Sequence, residues 1–280
     1  MTIRPLHPAS SEPRRDRLLS ACSWAGALMV MLGIATSAAG TLWPPRPLPQ
    51  GVKAPILAIE LLRPSDRLDQ IVKEDNAIAL AEMKLQPRNE RRTLQRAVML
   101  DFAFIAAYTA FLVLFATLPT STVHRMLGAI VIGGAITGAV FDSVENTRIL
   151  ALLRDASAPL PRGPSVVKWW ALFVTAAAAV PLTIERNAPL LRRWIGYAAA
   201  LFAAAAAAGG IYGLAHGSDQ IVETAVGRLA IAWFLTYLFA ASERTLRDGL
   251  HAALDRLATR PWLRRFATWP AVEKRPVADS

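Results

Sequence analysis

The chain reads as an all-α protein, a six-helix transmembrane bundle with an extracytoplasmic amphipathic segment and a C-terminal amphipathic helix, on three observations. Of its 280 residues 54% are apolar and only 19% charged, against about 25% charged in an ordinary soluble domain. The apolar residues gather in uncharged blocks approaching the roughly 20 residues that a bilayer crossing requires. Basic or proline-rich stretches separate those blocks. Cys22 is the one cysteine and lies inside an apolar block, which excludes a secreted disulfide scaffold.

A basic tail, 1–20, precedes the first span, 21–43, which carries no charge. Its length exceeds the roughly 7–15 apolar residues of a signal-peptide core, so it reads as an anchor; the small residues Ser37 to Gly40 keep a cleaved signal as the alternative. The extracytoplasmic segment, 44–97, opens on Pro44, Pro45, Pro47 and Pro49, which cannot continue a helix. Within it Ile56, Leu57, Ile59, Leu61 and Leu62, then Leu68, Ile71 and Val72, recur at roughly helical spacing. That pattern predicts an amphipathic helix lying on the membrane or on the other helices. Glu60 falls among these residues, and its plainest reading is a carboxylate pointing to water from the polar edge.

The second span, 98–118, has Asp101 as its only charge. The third, 126–153, cannot stop at Phe141, because the 16 uncharged residues from Met126 give only about 24 Å at 1.5 Å per residue. The hydrocarbon layer is about 30 Å thick, so the helix must continue through Asp142, Ser143, Glu145, Asn146 and Arg148. The fourth span is 166–184, with Pro181 near its end, the fifth 194–215 and the sixth 225–242, with Arg228 just inside it. In the tail, 243–280, Leu246, Leu250, Leu254 and Leu257 oppose Arg247, Asp248, Asp255 and Arg256, the pattern of an amphipathic surface helix.

Six spans put both termini on one side, and both tails are basic, with four Lys/Arg before the first span and eight after the sixth. The cytoplasm is therefore the expected side. The abundance of Ala and Arg indicates a GC-rich bacterial genome, and hence the inner membrane. Ten Lys/Arg in 44–97 oppose this orientation, but long segments translocate largely regardless of charge. The short loops agree by a narrow margin, with Arg125, Arg186, Arg192 and Arg193 on the inner side against Arg154, Arg162 and Lys168 on the outer. The net charge of +10 follows from topology, and no basic run interleaved with aromatics points to nucleic acid. The expected partner is the lipid bilayer. Gly134 with Gly138, and Gly209 with Gly213, form small-xxx-small pairs suited to packing within the monomer or, alternatively, to a homo-oligomer seam.

Antiparallel second and third spans bring Asp101 level with Asp142 and Glu145. Asp142, Glu145 and Asn146 fall at i, i+3 and i+4 on one helical face. Tyr108 lies on the face of Asp101, two turns deeper. Ionised groups in spans usually face the bundle interior, which makes a functional site their default reading. Asp101, Asp142 and Glu145 could hold a divalent cation such as Mg²⁺ or Ca²⁺, with Asn146 as a further oxygen donor. Alternatively, Arg148 or Arg228 neutralises them in a structural ion-pair network. There is no nucleophile elbow, no Walker loop and no H-E-x-x-H, and His7, His124, His216 and His251 never pair at ligand spacing, so zinc is not expected.

The string Asp101-Phe102-Ala103-Phe104 with Tyr108, followed by Asp142-x-x-Glu145-Asn146, resembles D-F-x-F-x-x-x-Y and D-x-x-E-N motifs of poorly characterised bacterial multi-pass membrane proteins. Glu60-Leu61 matches the Glu-Leu that accompanies them upstream, so the resemblance covers roughly residues 55–153. It implies a polar centre at Glu60, Asp101, Tyr108, Asp142, Glu145 and Asn146 without assigning a reaction. Three functions are expected from these residues. One is an acidic pocket for a cation or polar headgroup. A second is a metal-dependent hydrolase or transferase acting on a lipid. The third is a structural or partner-binding protein. A transporter is less well matched, because no internal repeat is evident and the inner halves of the spans are rich in Ala and Leu.

Overall fold

The computed structural model describes residues 12–40, 48, 51–64, 68, 71–72, 90–119, 121–185 and 188–258, without the side chains of 12–14 and 244–258. Most of the proline-rich stretch and the tail beyond Ala258 therefore lie outside the described residues. Seven α-helices occur among those described: α1 (Glu12–Ala39), α2 (Pro55–Glu60), α3 (Glu90–Thr117), α4 (Thr122–Leu152), α5 (Arg162–Ala179), α6 (Leu190–His216) and α7 (Asp219–Ala258). All but α2 contain stretches long and apolar enough to cross a membrane.

Local chemistry sets the helix limits. Ser121 caps α4 by accepting the backbone N–H of His124 at 3.3 Å, satisfying a donor left open at a helix start. Pro181 ends α5 in a short 3₁₀ turn, Val180–Thr183, because proline removes the next helical donor. Gly217 adopts φ +64° at the end of α6, a left-handed conformation that costs glycine little. With Ser218 it turns the chain directly into α7.

Two elements differ from the sequence expectation. The amphipathic helix expected to run through 56–72 is only the short α2, since the chain turns at Leu61 and Pro64 follows. A proline disfavours α conformation in the residue before it and supplies no N–H, which stops propagation. Leu57, Ala58, Ile59 and Glu60 are all buried, so α2 is inserted into the bundle instead of lying on a surface. The expected C-terminal surface helix is no separate element either, because α7 runs unbroken from the sixth span to Ala258. The third span does extend as its length required, through Asp142 to Leu152.

In chain order each long helix packs on the next, and α7 closes the ring on α1 through its least extensive seam. Small residues permit the close approaches where lipid offers no hydrophobic drive. Gly134 faces Thr175, Gly138 faces Leu172, Gly209 faces Ala225 and Gly213 faces Val222. The four glycines expected either inside the monomer or at an oligomer seam thus meet helices of the same chain.

At the end of the ring remote from α2, Glu243 accepts Arg15 Nη2 at 2.7 Å and Arg192 Nη2 at 2.8 Å, tying α7 to α1 and α6. Arg192 also pairs with Glu185 at 3.0 Å and lies over the Phe239 ring. Replacing Glu243 by Gln is expected to lower stability by about 1–2 kcal/mol, the worth of charged hydrogen bonds discounted for the exposure of Arg15. Thermal unfolding of the variant in detergent tests this.

Candidate functional site

The buried stripe of α4 runs Val131, Ala135, Gly138, Asp142, Glu145, Asn146, Ile149 and Leu152. The three polar residues therefore continue a core face, and the helix has no way to turn them to lipid without exposing that face. On α3 the same logic aligns Asp101 with Ile105, Tyr108, Leu112 and Phe115, of which the last four are buried. Packing α3 on α4 brings the two sets together. Asn146 Nδ2 donates to Asp101 Oδ2 at 2.9 Å, and Tyr108 OH donates to Asp142 Oδ2 at 3.2 Å.

The cation at the centre is Lys168. Its Nζ lies 2.7 Å from Glu145 Oε1, 3.2 Å from Asp142 Oδ1 and 3.1 Å from Glu60 Oε2. Its side chain is only 3% exposed. Three ammonium donors thus meet three carboxylates from α2 and α4, and the charge is held in the interior by partners in direct contact. Trp169 adds its indole N–H to Glu60 Oε2 at 3.0 Å, and Lys168 Nζ lies 4.4 Å from the centre of that ring.

All six residues expected at a polar centre, Glu60, Asp101, Tyr108, Asp142, Glu145 and Asn146, fall into this one network. Glu60 does not point to water. It is 7% exposed, because α2 dips into the mouth of the ring.

The expected charge partners are different. Arg148 donates to the Leu160 carbonyl at 3.2 Å. Arg228 is on an exposed part of α7, with its guanidinium near Gly209 of α6. Neither reaches the carboxylates, because Lys168 faces inward nearly two turns into α5. Sequence reasoning assigned Lys168 to an outer loop and missed Trp169. The available signal was their spacing with Ser165, Leu172, Phe173 and Ala176, all on the buried stripe of α5. Among the described residues no group of three or more His, Cys, Asp or Glu is arranged to hold a metal ion. The ammonium of Lys168 occupies the place between Asp142 and Glu145 that a divalent cation would need.

Further contacts fix α2 over this network. Glu223 Oε1 accepts the backbone N–H groups of Lys53 and Ala54, both at 2.8 Å, at the start of α2. Arg63 pairs with Asp219 at 2.8 Å, and Arg162 donates to the Leu61 carbonyl. Gly51 turns the incoming chain with φ +71°. On the α4–α5 connection, the N–H and hydroxyl of Ser157 both donate to Asp155 and hold its carboxyl below the ordinary aspartate range.

Beside the network a cavity of about 1390 Å³ extends along α1 and α7 into the middle of the ring. Glu60, Asp101, Asp142 and Lys168 line one part of it, whereas most of the wall is apolar. Tyr108 stacks on Trp233 with ring centres 5.3 Å apart and meets Phe104 edge-on at 5.4 Å, and all three rings line the cavity. No family model, curated protein or solved structure matches this chain.

Proposed function

We propose that the chain is an integral protein of the bacterial inner membrane, with both termini cytoplasmic, that holds a membrane amphiphile by its polar head. The Lys168–carboxylate network takes the head, and the apolar part of the cavity takes the hydrocarbon. One observation carries this reading: a large, mostly apolar cavity has Glu60, Asp101, Asp142 and Lys168 of the network in its wall, its other charged groups being Lys53 and Glu223 at the start of α2. Binding cavities of this type combine an apolar lining with a few placed polar groups. A lone structural ion-pair network has no need of such a space beside it.

A structural role is the second reading, favoured by the three carboxylates that already satisfy Lys168. Filling the cavity separates the two. Leu172 lines it next to Trp169, and Leu172→Trp would occupy part of its volume. Native mass spectrometry of the purified protein is expected to detect co-purified lipid on the wild type and at least about tenfold less on the variant, a loss equal to about 1.4 kcal/mol of affinity. Equal lipid on both proteins, or none on the wild type, would favour the structural reading.

A further inference from the structure

Resting on the amphiphile reading above, we propose that the head recognised here is cationic, an ammonium-bearing lipid or surfactant that reaches the site sideways between α1 and α7. The network contains four carboxylates, Glu60, Asp101, Asp142 and Glu145, and a single ammonium, Lys168. No second cation pairs with these four among the described residues. Arg148 is spent on the Leu160 carbonyl, and Arg162 on Leu61 and Asp219. A phosphate head would bring further acceptors to a wall that already holds the carboxyl groups of Glu60, Asp101 and Asp142 beside one ammonium, at a cost that rises as water is excluded. A positive head brings donors to them instead.

The hydrogen-bond inventory agrees. Glu145 is wholly buried, and its Oε2 has no partner. Asp101 spends Oδ2 on Asn146 while lining the cavity. Glu145 is not part of the cavity wall, so the acceptors that a head group meets there belong to Glu60, Asp101 and Asp142, and acceptors without matching donors are the complement of an ammonium group. The rings of Phe104, Tyr108 and Trp233 stand in the same wall, and aromatic faces near a cation add to its binding.

The route follows from which wall residues face outward. Ile34 on α1 and Ile231 and Phe234 on α7 line the cavity, yet are 66%, 43% and 42% exposed. These three residues stand on α1 and α7, the two helices that share the least extensive seam of the ring. The proposed route runs through that seam, because it is the part of the ring with least packing to separate. An amphiphile can keep its chain in hydrocarbon throughout its passage.

The test uses the full chain in a neutral detergent and three probes with the same twelve-carbon chain: dodecylamine, dodecyl phosphate and dodecanol. Dodecylamine is expected to raise the thermal unfolding midpoint in a saturable manner, and dodecyl phosphate is not. Asp101→Asn should weaken dodecylamine about tenfold or more, the loss expected for a charge-assisted hydrogen bond. It preserves side-chain volume and an acceptor for Asn146, so its unliganded midpoint reports whether it folds. Gly227→Trp narrows the seam from a position where an added Cβ meets nothing within 4 Å, and should slow dodecylamine association. Equal shifts from phosphate and amine would overturn the cationic head and leave the amphiphile reading standing. Unaltered affinity in Asp101→Asn would overturn the site. Absence of any shift from all three probes would instead count against the amphiphile reading itself.

Discussion

Replacing Lys168 by methionine is expected to destabilise the protein by about 3–5 kcal/mol, the penalty for removing one partner of a buried ion pair. Methionine nearly matches the length of lysine but supplies no charge and no donor. Glu60, Asp142 and Glu145 would then face one another, 3.1, 3.2 and 2.7 Å from an atom no longer there. Because α2 enters the ring through Glu60, loss of the ammonium also weakens the hold on that segment. A sharply lowered unfolding midpoint is the expected result. Adding Glu60→Gln, Asp142→Asn and Glu145→Gln to Lys168→Met should recover much of the loss, since neutral amides carry no uncompensated charge. If Lys168→Met unfolds like the wild type, the network does not hold the fold.

Gly196→Val is the second large expected effect. A Cβ at Gly196 would lie 2.1 Å from the backbone carbonyl oxygen of Thr183 and 3.1 Å from the ring of Phe239. A side chain could rotate aside, but Thr183 belongs to the 3₁₀ turn that ends α5, so its carbonyl moves only if the turn moves. Overpacking commonly costs about 1–3 kcal/mol and more where the opposing atom is fixed. The valine variant should therefore melt well below Gly227→Val, whose added Cβ meets nothing within 4 Å. Similar midpoints for the two would show that α6 can back away from the turn at little cost.

The spans were legible because a bilayer crossing imposes a length, and composition reports length directly. The joining of Asp101 to Asp142 and Asn146 was legible too, since antiparallel helices fix depth and the i, i+3, i+4 rule fixes face. Rotation about a helix axis was not. In a span both the lipid side and the packed side are apolar, so nothing in composition turned Lys168 inward, and it read as a loop charge. The same blindness made Arg148 and Arg228 equal candidates for a role that Lys168 fills. Glu60 was misjudged for another reason: the last four residues of α2 are all buried, a context that helical spacing alone does not distinguish from a surface-lying helix.

The contributors to the Lys168 network, α2 to α5, precede α6 and α7 in the chain, whereas the seam that completes the ring joins the first helix to the last. During synthesis the charged centre has all its parts before the wall opposite it exists. The charged centre is thus encoded entirely upstream of the helix that walls it off.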